Sequence, residues 1–100
     1  WQKKDSVMIE NLPPGRPVAH PDVAARIVAG EAVVLSPNQH MVRMLNEVGT
    51  RIWELADGTR TPADIAALLT EEYEVDLPDA QTHTARFLGE LHARDLLTWV

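Results

Sequence analysis

The feature that most constrains the fold is a pair of short helices with strong end signals between residues 46 and 73. Asn46 is a good N-cap, since its side chain can accept from N–H groups of the next turn, and Asp57-Gly58 ends this first helix. The sequence TPAD at 61–64 starts a second helix with a capping box and a proline at the first helical position. Two helices joined by a short turn are a familiar DNA-reading device, so the pattern raises the question of whether this chain binds DNA.

The segment before the helices predicts three strands. Val- and Ile-rich stretches near 23–28 and 31–36 flank Gly30, which can take the positive φ of a tight hairpin turn. A third stretch, HMVRML at 40–45, follows the polar turn SPNQ. With a third helix expected from about 78 to 94, the order β-β-β-α-α-α predicts an α+β fold with a three-stranded antiparallel sheet followed by three helices.

Residues 1–21 differ from the rest, because four of the seven prolines lie there and no hydrophobic period is present. We expect an extended N-terminal arm, ordered only where it docks on the domain formed by 22–100. Its stretch SVMIENL at 6–12 alternates apolar side chains, so docking on a sheet edge and a loose tail both remain open. No apolar run is long enough to cross a membrane and no secretory signal is present, which is compatible with the cytoplasm.

The charge is acidic and unevenly distributed. The chain has a net charge of −6, and residues 46–79 contain nine acids but only two bases, Arg51 and Arg60. Nucleic-acid affinity comes mainly from Lys and Arg contacts to phosphate. The helix pair is therefore expected to repel a phosphate backbone, and we predict no nucleic-acid partner.

No catalytic, metal or cofactor site is predicted. The chain has no cysteine, and no pair among its four histidines has the i, i+4 spacing of a helical zinc site. The acidic run at 71–79 lacks the alternating ligands and central glycine of a calcium loop. Ser6 and Ser36 lie in no nucleophile-elbow pattern, and the isolated glycines form no phosphate cradle. We therefore expect a binding protein that is not an enzyme and needs no cofactor.

The third predicted strand is unusual because it is apolar on both sides. Met41 and Leu45, with Arg43 between them, lie on one side, and Val42 and Met44 lie on the other. A strand that the core covers on both faces would have this pattern. An edge strand beside a groove for an extended peptide would have it too, and methionine adapts its shape at permissive binding surfaces. Both interpretations remain open from the residues alone.

Short motifs follow one another in a characteristic order from residue 45 onward. They are LN-E-x-G at 45–49, IW at 52–53, D-G-x-R-T at 57–61, IA at 65–66, FL-x-x-L at 87–91 and LL at 96–97. Each motif alone is weak, but the ordered set closely resembles the PqqD family, the small leader-peptide-binding domains also called RiPP recognition elements. One departure is Asp95, where relatives often have glycine; Asp tolerates left-handed geometry better than most residues.

The resemblance implies a winged helix-turn-helix-like fold that has lost its DNA-reading function. It implies that a leader peptide adds as an extra strand beside 40–45, with side chains entering a groove against the third helix. The peptide-binding residues expected on this basis are His40, Met41, Val42, Arg43 and Met44 on the strand and Ala80, Gln81, Thr84, Ala85 and Leu88 on the helix.

The function implied by the resemblance is that of a non-catalytic adaptor, or peptide chaperone. Such a protein captures the leader segment of a ribosomally made precursor peptide and presents it to a modifying enzyme. The enzyme partner would be a radical SAM protein or a cyclase–protease system. The adaptor itself is expected to be a monomer or a dimer that exchanges its arms.

Two other functions remain open. A winged-helix DNA-binding regulator would need a basic recognition helix, but the third helix carries Arg86 and Arg94 against Asp79, Glu90 and Asp95. A detached accessory domain of a larger modifying enzyme would be accompanied by a longer gene around this segment.

Overall fold

The computed structural model describes residues 15–36 and 41–100. The strands are β1 (Pro17–Ala19), β2 (Ala24–Val28), β3 (Glu31–Ser36), β4 (Met41–Met44) and β5 (Leu97–Trp99), and the helices are α1 (Glu47–Leu55), α2 (Pro62–Glu72) and α3 (Leu77–Ala93). The antiparallel sheet with strand order β2-β3-β4, together with the three helices, confirms the predicted α+β fold. Two further strands, β1 and β5, were not predicted.

The additional strands form a separate antiparallel ladder, in which Pro17 pairs with Trp99. The N–H of Gly58 donates to the Pro17 carbonyl at 2.9 Å, so the turn between α1 and α2 is tied to the same ladder. Leu97 of β5 is buried in the core. Residues 17–19 of the predicted arm thus belong to the folded structure, whereas the strand-like stretch at 6–12 lies outside the described residues.

The turn between β2 and β3 has positive φ at both central residues. The φ angles are 53° at Ala29 and 83° at Gly30, which is the pattern of a two-residue hairpin turn whose twist suits the flanking strands. The predicted role of Gly30 is confirmed. Ala29 takes the same left-handed region at an energetic cost that glycine or asparagine would largely avoid.

The predicted helix ends are also confirmed. The Asn46 side chain accepts from the Gly49 N–H at 2.8 Å. Thr61 accepts from the Asp64 N–H at 3.2 Å, and the Asp64 carboxylate accepts from the Thr61 N–H at 3.1 Å, which completes the capping box. Asp95 has a φ of 59°, the left-handed geometry expected of it.

A small polar junction fixes the path from β4 into α1. The Leu45 N–H donates to the Ala32 carbonyl at 2.8 Å, and the Ala32 N–H donates to Thr50 Oγ1 at 2.8 Å. The Thr50 hydroxyl in turn donates to the Leu45 carbonyl at 3.3 Å. Because these groups are buried, their hydrogen bonds hold β3, the end of β4 and α1 in one arrangement.

The hydrophobic core lies between the sheet and the helices. Its largest fully buried side chains include Val34, Ile52, Ile65, Leu88, Leu91, Leu96 and Leu97. Helix α3 contributes to this core along most of its length, and it also passes beside β4. This placement creates the site described next.

Candidate functional site

Strand β4 lies at the edge of its sheet, and within residues 15–36 and 41–100 no strand pairs with its second edge. The Leu45–Ala32 hydrogen bond and the β3–β4 register show which backbone groups of β4 point to β3 and which point to the open edge. Directly opposite residues of an antiparallel pair alternate between hydrogen-bonded and non-hydrogen-bonded positions. Arg43 therefore bonds to β3, whereas the N–H and C=O groups of Val42 and Met44 point to the open edge.

The side chains of the same two residues are unusually exposed for apolar groups. Val42 is 62% exposed and Met44 is 69% exposed. They lie on the sheet face that points away from the core, opposite Leu35 and Val33 of β3. The interpretation of this strand as covered by the core on both sides is therefore wrong, and the alternative of an open edge strand fits the structure.

A groove of about 210 Å³ separates β4 from α3. Its lining residues are Arg43, Met44, Leu45 and Asn46 from β4 and the junction, and His83, Arg86, Phe87 and Glu90 from α3. The Arg43 guanidinium donates to Glu90 Oε2 at 3.0 Å and so joins the two walls at one end. The groove is thus bordered by β4, with its open backbone edge, on one side and by charged side chains of α3 on the other.

A larger, mainly apolar cavity of about 480 Å³ adjoins the groove near the start of α3. Val48, Tyr73 and Val75 are among its lining residues, and His83 and Arg86 line both spaces. Burial, together with the nearby carboxylates of Glu47 and Glu72, raises the pKa of the Tyr73 hydroxyl. The raised pKa means that this hydroxyl stays neutral to a higher pH than an ordinary tyrosine, as suits an apolar wall.

The predicted strand residues and helix residues differ in where the structure places them. Met41 and Arg43 are half-buried, Val42 and Met44 are exposed, and His40 lies outside the described residues. On α3, the predicted residues Ala80, Thr84 and Leu88 are buried in the core, and Gln81 and Ala85 are half-buried. None of these five helix residues lines the groove beside β4.

The helix residues that do line the groove were missed by the sequence analysis. Helix α3 turns its most apolar stripe toward the core, so the stripe beside it faces β4. That stripe is His83, Arg86, Phe87 and Glu90. Its spacing of three, one and three residues is that of one helical face, so the sequence groups these four residues together but does not show that they face β4.

Helix α1 packs closely against α3 at Phe87, one of the residues that line the groove. A Cβ atom on Gly49 would stand 3.0 Å from Phe87 Cζ, so the glycine allows this contact. In the described part of the chain, no group of three His, Cys, Asp or Glu side chains could hold a metal ion. No helix formed by the described residues is long and apolar enough to cross a membrane.

The fold and the site together define a class of protein: a small winged helix-turn-helix-like domain with an open strand edge above a groove. The family model described as "Coenzyme PQQ synthesis protein D (PqqD)" matches residues 31–97. The chain belongs to the PqqD family, which confirms the resemblance seen in its motifs. Comparison with curated protein sequences gives no match.

Two solved structures are similar to this chain. One, described as "TbiB1 in Complex with the TbiA(beta) Leader Peptide", has 29% sequence identity and a TM-score of 0.75, and the match covers 80% of this chain and 93% of the other. The second, "Lasso peptide synthetase B1 complexed with the leader peptide", has 24% identity and a TM-score of 0.77, with 84% and 99% covered. The second likeness concerns the fold alone.

Proposed function

We propose that this protein is a non-catalytic adaptor that binds the leader segment of a ribosomally made precursor peptide by strand addition to β4. The observation that carries the proposal is the open edge at Val42 and Met44, whose backbone groups point outward. Membership of the PqqD family supports it. The solved structure of TbiB1, which is similar over most of this chain, contains a leader peptide.

Strand addition would divide the side chains of the peptide between two surroundings. Residues of the peptide opposite Val42 and Met44 would lie on the outer sheet face, and those opposite Arg43 and Leu45 would turn toward α3. The backbone hydrogen bonds give affinity that tolerates sequence, and the groove gives selectivity. The peptide is then held beside the domain, where a modifying enzyme such as a radical SAM protein or a cyclase–protease system would act on it.

Proline substitutions at two edges of the same sheet test this mode of binding. In β4, Val42→Pro removes an outward N–H without breaking the bonds to β3. In β2, the hairpin register directs the Ala25 N–H to the opposite edge, so Ala25→Pro is a matched control. The loss of one net hydrogen bond is worth about 0.5–1.5 kcal/mol, so peptide binding should fall roughly 2- to 13-fold for Val42→Pro only.

The peptide for this test can come from selection of a displayed library of random twelve-residue peptides on the wild-type protein. Chemical-shift mapping with a selected peptide should then perturb Met41–Leu45 and the groove side of α3. Circular dichroism checks that both proline variants stay folded. Equal weakening by the two variants, or perturbations restricted to α1 and α2, would contradict strand addition at β4.

A further inference from the structure

The groove beside β4 differs in charge from the rest of the protein. The whole chain has a net charge of −6, and α1 and α2 together with their connections are strongly acidic. Within the groove, the cations Arg43 and Arg86 outnumber the single carboxylate, Glu90, and the His83 ring adds a hydrogen-bonding group. The groove is thus a locally positive surface on an acidic domain, which favours a negatively charged ligand group.

The two arginines of the groove are not equivalent. Arg43 is engaged with Glu90 at 3.0 Å. Arg86 is exposed, and none of the ion pairs found among residues 15–36 and 41–100 includes it. Two other carboxylates, Glu74 and Asp79, line the adjoining apolar cavity, which Arg86 also lines, and neither of them lines the groove. Arg86 therefore keeps its donors available to a ligand.

The spacing of these groups matches the spacing of an added strand. Arg86 and Glu90 are four residues apart on α3, which is about 6 Å along the helix axis. Alternate side chains of a strand, which share a face, are about 6.6–6.8 Å apart. Glu90 contacts Arg43 of β4, and Phe87, one turn earlier on α3, lies near Gly49 at the start of α1, which follows β4. Going from Glu90 to Phe87 along α3 therefore corresponds to going from Arg43 toward Leu45 along the strand. A peptide side chain opposite Arg43 would therefore lie beside Glu90. The next peptide side chain that points into the groove, opposite Leu45, would lie beside Arg86 and His83.

We infer that the groove selects leader peptides with a carboxylate side chain, Asp or Glu, at the inward position opposite Leu45, where Arg86 and His83 bind it. A basic side chain at that position is rejected, because it would approach Arg86 and find Glu90 already occupied by Arg43. Arg86 is thus a specificity-determining residue whose forked guanidinium suits a carboxylate. The inference rests on the proposed strand addition.

The test uses selection from the same random twelve-residue library on three proteins: wild type, Arg86→Glu and Arg26→Glu. Arg26 is exposed on β2, two strands away from the groove, and its substitution makes the same change of charge. Wild type and Arg26→Glu should enrich peptides with Asp or Glu at one fixed position, and Arg86→Glu should enrich Lys or Arg there. Because Arg86 is exposed, both variants are expected to keep the native circular dichroism spectrum.

Affinity measurements with one selected peptide then test the contact between Arg86 and the peptide carboxylate directly. Its Glu→Gln version should bind wild type about five- to tenfold more weakly, the size expected for a partly exposed charge-assisted contact. The same change should have little effect on Arg86→Gln, and a Glu→Lys peptide should recover binding on Arg86→Glu.

Two adverse outcomes are distinguishable by amide exchange. Selected peptides that slow exchange at Val42 and Met44 but show no acidic position, or show the same one on Arg86→Glu, would overturn the inference and leave strand addition intact. Peptides that bind without protecting those two amides would overturn the proposed function, and the inference with it.

Discussion

Gly49 and Gly89 provide a matched test of how tightly α1 and α3 pack behind the groove. Both glycines lie within helices, where replacing glycine with alanine improves helix propensity by at most about 1 kcal/mol. A Cβ on Gly89 meets no heavy atom within 4 Å, so Gly89→Ala should stabilise the protein by about 0.5–1 kcal/mol. A Cβ on Gly49 would stand 3.0 Å from Phe87 Cζ and 3.2 Å from Asn46 Oδ1, which is tighter than ordinary contact.

Overpacking of this kind costs about 1–3 kcal/mol, so we expect Gly49→Ala to be less stable than Gly89→Ala by about that amount. For a domain of this size, each kcal/mol shifts Tm by roughly 4–8 °C, which thermal unfolding followed by circular dichroism resolves easily. Phe87 also lines the groove, so the first variant should weaken peptide binding while the second leaves it unchanged. Equal stability of the two variants would show that the Phe87 ring moves freely, and it would refute the idea that α1 holds the groove wall in place.

Three further predictions concern the turn, an ion pair and DNA. Ala29→Asn should raise the free energy of unfolding by about 0.5–1 kcal/mol in urea titration, because asparagine tolerates positive φ better than alanine; no gain would argue against the left-handed turn. Arg51 holds the pKa of Glu72 below its usual value, so this pair stabilises the fold above that value and the effect is lost as pH falls through the lowered pKa. Arg51→Gln should therefore cost at most about 1 kcal/mol at neutral pH, and this cost should shrink as acidification protonates Glu72; a cost that does not change with pH would contradict the assignment. Duplex DNA should not bind in fluorescence anisotropy at physiological salt, and sub-micromolar binding would contradict the adaptor function.

The parts of the fold that were predictable are those with local causes. The capping box at Thr61 and Asp64, the N-cap at Asn46 and the hairpin turn at Gly30 each depend on a few consecutive residues. Such local signals can be read from the sequence because they do not depend on which distant residues pack against the helix or turn. The short strand at Pro17–Ala19 had no such signal, because its partner is at the other end of the chain and only folding brings the two together.

The residues of α3 that line the groove are not those expected from the sequence, and the difference has a physical reason. The helix residues expected from the family resemblance include Thr84 and Leu88, which belong to an apolar stripe, and such a stripe does not tell whether it faces the core or a ligand. In the structure both are at most 1% exposed, so they pack against the core. The residues that face β4, such as Arg86 and Glu90, resemble an ordinary solvated surface in the sequence, and only the placement of the sheet distinguishes them.

The helix pair that raised the question of DNA binding packs the core of this protein. Its outer surface is acidic and its inner surface fills the core, while among the described residues no strand pairs with the second edge of β4. Backbone groups at Val42 and Met44 would supply affinity that no side-chain substitution removes directly, apart from proline. Selectivity would reside on separate atoms, the side chains of α3. Because the two sets of atoms are distinct, exchanging groove residues of α3 should change which peptide binds while strand addition itself continues.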